Sequence, residues 1–402
     1  MTYLDANATT PMDPQVLEAM LPWMTTNWAN PSSSYRAAKE ARKAVEKARE
    51  QVAALIGARP EEMVFTSGGT ESTNTALKWL ARWIGRKNGR VVSTAIEHSA
   101  VLRVIENFAQ VGYAVDRCGV TGGGRLDMND YRAACERARE GGGFASVMWV
   151  NNETGIIQPI EEACEIAKRC GLAFHSDAIQ AVGKIGIDVS SVDVDYLSVS
   201  AHKFHGPKGV GALHVKEGLR FEPLLRGGGQ EIGRRSGTEN VAGIVGMGVA
   251  AELALAALAE DPGGSKVGAI RDRFEHILLE QLRGVVVNGD QDFRVAGTSH
   301  VSFAGCEAAG LLILLDDAGV ACSAGSACMT GKQQPSHVQK AMGLSDEVAK
   351  SSLRFSFSRA STMEDAEMGA MKVIKAVEKL RKVQGGGVTG PVMIYSAKPT
   401  AE

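Results

Sequence analysis

The stretch VDYLSVSAHKFHGPKG, residues 194–209, joins a strand-like apolar run to a lysine in a short polar turn. Lys203 stands in that turn, and Ser200 and His202 come just before it. A lysine amine that loses its proton readily can form an imine with an aldehyde, and the neighbouring hydroxyl and imidazole can hold a phosphate. A lone loop lysine is more often simply solvated, so the function of this stretch depends on what accompanies it.

A short apolar run with a polar end recurs along the first half of the chain. The runs are residues 62–67, 90–96, 145–150, 172–176 and 194–200. Helical patterns lie between them, and the plainest covers residues 35–56, where apolar side chains recur at helical spacing. Such alternation favours a mostly parallel sheet with helices on both faces, so we predict an α/β fold.

The second half has a different pattern. A linker-like stretch at residues 259–267 is followed by a helix, strand-like runs at 298–303 and 351–358, and a helix near 363–382. This order predicts a smaller α+β domain. The predicted boundaries are 15–258 for the large domain, 1–14 with 259–384 for the small domain, and 385–402 for a flexible tail.

Composition excludes some functions. The chain has 402 residues, with 44 Lys and Arg against 46 Asp and Glu, and this balance disfavours a nucleic-acid-binding surface. No run of about 18 uninterrupted apolar residues predicts a membrane span, and the N-terminus does not resemble a secretory signal. The seven cysteines are scattered and odd in number, so we expect no disulfide framework and a cytoplasmic location.

Polar residues stand where the predicted strands end, and ligands of parallel sheets bind at that edge. In FTSGGTES, residues 65–72, two glycines join a strand to a helix. Main-chain amides around Gly69 and the hydroxyl of Thr70 can hold a phosphate there. The stretch lacks the lysine of a P-loop, which disfavours a nucleoside triphosphate. Taken alone, it is more often an ordinary glycine turn with a helix cap.

Four further side chains follow strands in the same way. Asp177 could face a protonated pyridine nitrogen, and His98 could stack on a planar ring and move protons. Asn152 and Gln180 could donate hydrogen bonds to ring substituents. Each has an ordinary structural interpretation by itself, such as a helix cap or a core histidine. Together with Lys203 they are the groups that a pyridoxal phosphate site requires.

Motifs along nearly the whole chain resemble those of the cysteine desulfurases in the class V aminotransferase group. They are YLDANATT (3–10), NPSS (30–33), FTSGGTES (65–72), EHSAV (97–101), VNNETG (150–155), RGGGQEIGRRSGTEN (226–240), GSAC (325–328), PSHV (335–338) and RFSFSR (354–359). Among these enzymes the chain is most similar to the nitrogen-fixation type (NifS), and it is close to the housekeeping type (IscS). The chain departs from the usual motifs at Ala6, Tyr35, Ala201 and Met329, none of which replaces a chemical group of the site.

The resemblance implies a fold-type I homodimer whose large domain has a mostly parallel seven-stranded sheet. It implies pyridoxal 5'-phosphate bound through Lys203, with His98 stacked on the ring, Asp177 at its nitrogen, and Asn152 and Gln180 at its oxygen. The implied phosphate ligands are Gly69, Thr70, Ser200, His202 and, from a second subunit, Thr238. Arg354, with Asn152, is implied to bind the substrate carboxylate, and its planar guanidinium suits that task.

The implied reaction converts L-cysteine to L-alanine and leaves a persulfide on Cys328. The sulfur would pass to an iron–sulfur scaffold or another acceptor protein, and Cys328 would share a nascent cluster only transiently, with no intrinsic metal site. We expect the nitrogen-fixation type; the alternatives are housekeeping sulfur supply, a selenocysteine lyase, another class V aminotransferase, and a scaffold without catalysis.

Two cysteines lie close together in CSAGSACMTGKQQPSH, residues 322–337. A zinc site is disfavoured because no second ligand pair at suitable spacing accompanies them. Cys328 matches the sulfur-accepting position, whereas Cys322 is predicted to be a packed thiol at the root of a loop. A redox pair between the two stays open.

Overall fold

The computed structural model describes residues 1–85, 89–219, 221–325 and 335–383. The strands are β1 (Thr2–Tyr3), β2 (Met63–Thr66), β3 (Arg90–Thr94), β4 (Ala114–Cys118), β5 (Gly143–Ser146), β6 (Ala173–Asp177), β7 (Tyr196–Ser200), β8 (Gly211–Val215), β9 (Val285–Val287), β10 (Thr298–Phe303), β11 (Val320–Ala321), β12 (Ser323–Ala324) and β13 (Ser352–Ser356). The α-helices are α1 (Pro14–Thr25), α2 (Arg36–Leu55), α3 (Gly69–Ile84), α4 (Ser99–Gln110), α5 (Met128–Arg139), α6 (Ile160–Arg169), α7 (Val241–Glu260), α8 (Ser265–Gln281), α9 (Ala308–Asp317), α10 (His337–Ala341), α11 (Asp346–Lys350) and α12 (Met363–Val383).

A seven-stranded sheet forms the centre of the larger part of the molecule. Its strand order is β2-β8-β7-β6-β5-β3-β4, and β8 alone runs antiparallel to its two neighbours. The remaining pairings are parallel, for example Thr94 of β3 beside Cys118 of β4. The predicted α/β fold with a mostly parallel seven-stranded sheet is therefore confirmed. All the parallel strands end at one edge, which gathers their following residues on the same side of the sheet.

The helix predicted over residues 35–56 is α2, with Tyr35 and Ile56 as its end caps. Its buried stripe includes Ala41, Val45, Ala48 and Val52. α7 packs closely on it: a Cβ added to Gly248 would lie 2.7 Å from the Cα of Ala48, so this crossing tolerates only glycine. By length and composition α7 could span a membrane, but it lies against α1 and α2, as a core helix of a globular protein does.

The second half of the chain builds a four-stranded sheet in the order β12-β13-β10-β9. α8 and α12 cover it, and a separate apolar cluster includes the adjoining rings of Phe274, Phe303 and Phe355. The N-terminal strand β1 pairs with β11 in this half, so the first residues return to it. This arrangement fits the predicted two-domain division, whose boundaries remain a prediction. The predicted tail, residues 385–402, lies outside the described ranges.

The strand predicted at residues 145–150 is displaced in the structure, where β5 covers Gly143–Ser146. The chain beyond it stays beside β6, because the amides of Val147 and Trp149 donate to the carbonyl oxygens of His175 and Asp177. β4 was not predicted. It is an edge strand with Asp116 and Arg117 in its middle, so its sequence lacks a long apolar run.

Candidate active site

The carboxyl ends of the parallel strands open into a cavity of about 380 Å³. Ten of the predicted site residues line it: Gly69, Thr70, His98, Asn152, Asp177, Gln180, Ser200, His202, Lys203 and Arg354. They come from five different strand ends of the large sheet and, for Arg354, from β13 of the second sheet. The cavity therefore lies where the two halves of the chain meet.

Lys203 ends a short 3₁₀ helix, Ala201–Lys203, that directly follows β7. Its Nζ donates to the main-chain oxygens of Asn7 at 2.6 Å and Ala8 at 2.8 Å. Burial, with the nearby Arg354 charge, lowers the pKa of Lys203 to about 8. A useful fraction of this amine is consequently uncharged near neutral pH, which a nucleophilic lysine requires.

The N-terminal segment contributes Asn7, which sequence reasoning missed. Its carbonyl oxygen accepts from Lys203 and, at 2.8 Å, from Nε2 of Gln180. Its side-chain nitrogen donates to Thr298 Oγ1 at 2.9 Å. Asn7 thus joins the lysine to both sheets, and its place in the matched motif YLDANATT was the available signal.

Asp177 is the last residue of β6 and is almost fully buried. One carboxylate oxygen accepts from the amide of Ile179 at 3.1 Å. Burial raises the pKa of Asp177, while His98 and Lys203 act in the opposite direction. It forms no ion pair with any described residue, so a cation bound in the cavity would compensate its charge.

His98 caps the N-terminus of α4, and its Nδ1 accepts from the amide of Ala100 at 3.1 Å. A neutral imidazole with an accepting Nδ1 carries its proton on Nε2. The ring is exposed and lines the cavity, so it can lie against a planar ligand and exchange protons with solvent.

Glu97, beside His98, is a second residue that sequence reasoning missed. It is fully buried, and its Oε1 accepts from the amide of Met148 and the hydroxyl of Thr94. Oε2 has no hydrogen-bond partner among the described residues. Burial raises the pKa of Glu97 to about 8, so the group is protonated at neutral pH and adds no charge beside Asp177.

Gly69 begins α3, and a Cβ added to it would lie 2.0 Å from Cδ1 of Ile179. The helix start therefore approaches Ile179 as closely as only glycine allows, and Gly69 and Thr70 line the cavity. Thr70, Ser200 and His202 line this end of the cavity and an adjoining one of about 510 Å³. That set fits a phosphate.

His202 and Lys208 differ in what they offer to a phosphate. Burial, with the charges of Lys203 and Lys208, lowers the pKa of His202 to about 4. His202 is consequently a neutral ring, and its Nδ1 lies 3.2 Å from Thr9 Oγ1. Lys208, which sequence reasoning did not select, lines the adjoining cavity and supplies the formal positive charge there.

Arg354 is buried in β13 of the second sheet and lines the cavity. Its Nη2 donates to Asp5 at 2.6 Å, and its Nη1 donates to the carbonyl oxygen of Asn152 at 2.8 Å. Nε has no partner among the described residues. The guanidinium plane is therefore fixed by two contacts while one of its edges keeps an unused donor.

The remaining predicted residues are placed differently. Thr238 is exposed and does not line the cavity of its own chain, so its role from a second subunit stays a prediction. Cys328 lies outside the described residues. Cys322 is partly buried, and burial raises the pKa of its thiol to about 12, which fits a packed thiol. Among the described residues there is no group of three His, Cys, Asp or Glu side chains that could hold a metal.

The donor set fits pyridoxal 5'-phosphate. A buried carboxylate without an ion pair suits a protonated ring nitrogen, and an amine of lowered pKa suits an aldehyde. The cradle at Gly69 suits a phosphate at the other end of the same cavity. These three requirements are met by residues from separate strands, which makes a coincidental match improbable.

Comparison with protein families agrees with this geometry, because the model of the aminotransferase class-V family matches residues 2–368. The chain belongs to the class-V aminotransferase family. Members of this family depend on pyridoxal phosphate.

Relatives within the class-V family carry a consistent name. The chain is 43% identical over 383 residues to the cysteine desulfurase NifS of Azotobacter vinelandii, covering 95% of this chain and 94% of the relative. It is 45% identical over 384 residues to the cysteine desulfurase IscS of Anaeromyxobacter dehalogenans, covering 95% and 93%. A solved structure called a NifS-like protein has a TM-score of 0.87 at 34% identity, covering 94% of this chain and 99% of that one.

Proposed function

We propose that this chain is a pyridoxal-phosphate-dependent cysteine desulfurase that transfers the sulfur of L-cysteine to Cys328. The observation that carries the proposal is one cavity shared by Lys203, Asp177 and Arg354. An amine for an aldehyde, an acid for a ring nitrogen and a guanidinium for a carboxylate define a site for an amino acid bound to this cofactor. The resemblance to enzymes named cysteine desulfurase supports the choice of amino acid.

The cofactor, when bound, supplies an electron sink for bonds broken at and next to the α-carbon. Asp177 would keep its ring nitrogen protonated, and Asn152 and Gln180 would donate to its ring oxygen. Gly69, Thr70, Ser200 and His202 would hold its phosphate, with Thr238 of a second copy.

Arg354 would position the substrate, because its planar guanidinium matches the two oxygens of a carboxylate. Lys203 would take and return the α-proton, since the pKa of Lys203 near 8 lets its amine accept and give up protons near neutral pH. His98 would accept the proton of a thiol at Nδ1 in exchange for the hydrogen bond from the Ala100 amide, because its exposed ring lies in the same cavity.

Sulfur transfer needs a thiolate as the attacking group. The Cys328 sulfur would form a bond to the substrate sulfur while the substrate carbon–sulfur bond breaks. The enzyme thiol and L-cysteine would thus give an enzyme persulfide and L-alanine, with no outside oxidant or reductant. Cys322 is a poor substitute, since the pKa of its thiol is about 12.

The persulfide would supply sulfur for iron–sulfur cluster assembly through a scaffold or another acceptor protein. Among the cellular roles we favour nitrogen fixation over housekeeping supply, on the basis of the motif pattern. We also propose a homodimer, because Thr238 is exposed and lines none of the cavities that the described residues form around Lys203 in its own chain. The scattered, odd number of cysteines supports a cytoplasmic location.

The decisive experiment compares the wild-type protein with Cys328→Ala and, as a matched control, Cys322→Ala. Each is loaded with cofactor and mixed with L-cysteine and a reductant, and alanine and sulfide are measured together. We expect equimolar products from wild type and Cys322→Ala, and neither product in quantity from Cys328→Ala, whose cofactor absorbance is retained. Continued sulfide release by Cys328→Ala would contradict the assignment, and a keto-acid product would indicate a transaminase.

A further inference from the structure

Lys184 lies four residues after Gln180, in the turns that follow β6. Its Nζ donates to Oε1 of Gln180 at 2.5 Å and to Oδ1 of Asn7 at 2.8 Å. It forms no ion pair with any described carboxylate. A half-buried lysine held by two amide oxygens beside an active-site cavity is unusual, because lysines withdrawn from water normally pair with an acid.

The two partners suit an uncharged amine. A neutral lysine has two N–H groups, and Lys184 has two acceptors, one on each amide. Burial, with the nearby charges of Lys203 and Arg354, lowers the pKa of Lys184 well below its usual value. The residue can therefore donate both hydrogen bonds without placing a charge next to Lys203.

The contacts determine how the Gln180 amide is oriented. Lys184 can donate in either protonation state, and the Gln180 atom that accepts from it is the oxygen, as the contact of Gln180 with Asn7 requires. The Asn7 carbonyl can only accept, so the atom that faces it is the Gln180 nitrogen. That nitrogen has a second hydrogen, and Gln180 lines the cavity. A donor, and not an acceptor, is consequently available to a ligand there.

A further cavity of about 450 Å³, which we call the second cavity, also borders these residues. Asn7 and Lys203 line both cavities, whereas Lys184 lines only the second. Lys184 is thus placed behind the ligand-facing residues and supports them from outside the site. It does not line the cavity of about 380 Å³ in which the cofactor would bind.

We propose that Lys184 is a positioning residue that fixes the Gln180 side-chain amide with its nitrogen toward the bound cofactor. The inference rests on the proposed function, since the orientation of Gln180 matters only when an acceptor oxygen binds beside it. Removing Lys184 leaves the Gln180 oxygen buried without a donor, and the side chain then gains by moving away. A loss of cofactor affinity should follow without any change at Gln180 itself.

The test measures the dissociation constant of pyridoxal phosphate for wild type, Lys184→Met, Gln180→Leu and the double variant. Methionine keeps the length of the side chain and removes both donors. We expect Lys184→Met to weaken binding about tenfold, and to weaken it no further when Gln180 is already leucine. Lys266→Met is the matched control: Lys266 lines the same second cavity but pairs with Glu260, so wild-type affinity is expected.

Two results would overturn the proposal: wild-type affinity in Lys184→Met, or an undiminished loss in the Gln180→Leu background. Should Lys184→Met fail to fold, Gln180→Glu tests the same contact in the cofactor-free protein. A carboxylate there raises the pKa of Lys184, and the pH midpoint of its acetylation should move upward, whereas an unmoved midpoint contradicts the contact. If wild type binds no pyridoxal phosphate, the proposed function fails, and this second measurement still decides the contact.

Discussion

Arg354, which lines the cavity that we assign to the substrate, forms an ion pair 2.6 Å long with Asp5. The pair joins β13 to the bend after β1, and Asp5 also accepts from the hydroxyl of Ser323 at 2.8 Å. Because Asn152 holds the neighbouring nitrogen of the guanidinium, the orientation of Arg354 is set before any ligand arrives. A preorganised cation binds a carboxylate with a smaller entropic cost.

Arg354→Lys should therefore raise the KM for L-cysteine by about tenfold or more, while the cofactor absorbance stays unchanged. Lysine keeps the charge but loses the planar fork that matches a carboxylate. Steady-state alanine formation at varied L-cysteine gives the measurement. Arg359→Lys is the control, since Arg359 contacts Asp13 and lines only the second cavity. Equal KM values for Arg354→Lys and wild type would show that the carboxylate binds elsewhere.

The cofactor-free protein should reveal the lowered pKa of Lys203. Only the uncharged amine reacts, so labelling with trace acetic anhydride should rise through a midpoint near pH 8. Lys266 is the internal control, because its ion pair with Glu260 raises its pKa and delays its labelling to higher pH. Replacing Arg354 with Met removes a repelling charge and should shift the Lys203 midpoint upward. A Lys203 midpoint near 10.5 would contradict the proposed environment.

Glu97→Gln should reduce the loss of folding stability that the protein suffers as pH rises. The pKa of Glu97 is about 8 in the folded state and 4.5 as a free group, so the folded state binds the extra proton between these values. Stability from this group is therefore lost as pH rises from about 4.5 to 8. The urea midpoint of Glu97→Gln, relative to wild type, should increase from pH 5 to pH 8.

Glu62→Gln is the control for this pH dependence. Although burial opposes it, Arg59 and main-chain amides hold the pKa of Glu62 at about 2. The pKa of Glu62 thus lies below 5 in both the folded and the unfolded state. Its contribution to the free energy of unfolding should be constant from pH 5 to pH 8. If the difference in urea midpoint between Glu97→Gln and wild type is also constant from pH 5 to pH 8, Glu97 is ionised over that whole range.

The residues that could be predicted from their position alone share one property: each ends or follows a strand at the same edge of the large sheet. Arg354, Thr238 and Cys328 were instead selected from matched motifs. Asp177 and Lys203 were found in this way, because parallel strands deliver their ends to one place. Asn7 and Lys184 were not found. Their roles depend on contacts across the fold, such as the bond from Lys203 to the carbonyl of Asn7, and no local pattern encodes such a contact.

The buried acids were missed for a related reason. Glu97 and Glu153 stand next to His98 and Asn152, which were selected, yet a charged residue in a loop usually faces solvent. Only the structure shows that Glu97 accepts a hydrogen bond from the amide of Met148 and that Glu153 accepts one from the hydroxyl of Ser336. Burial of these acids depends on how distant segments pack, so the sequence alone could not indicate it.

Gly325 is held against the Glu153 carboxylate in a space that admits no side chain. A Cβ added to Gly325 would lie 2.3 Å from Oε2 of Glu153, which is fixed by the Ser336 hydroxyl at 2.6 Å. Such overpacking typically costs about 1–3 kcal/mol. Cys328 follows three residues later, so a displaced Gly325 should alter its delivery to the substrate. Gly325→Ala should lower sulfide release about tenfold and leave the cofactor absorbance unchanged.

The double variant Gly325→Ala with Glu153→Ala should recover part of that loss, because it removes the atom that the new methyl group meets. Gly186→Ala is the matched control: no atom lies within 4 Å of an added Cβ there, and wild-type activity is expected. Full activity of Gly325→Ala would show that the close approach to Glu153 does not constrain the chain before Cys328. Equal losses in the single and double variants would place the constraint on an atom other than the Glu153 carboxylate.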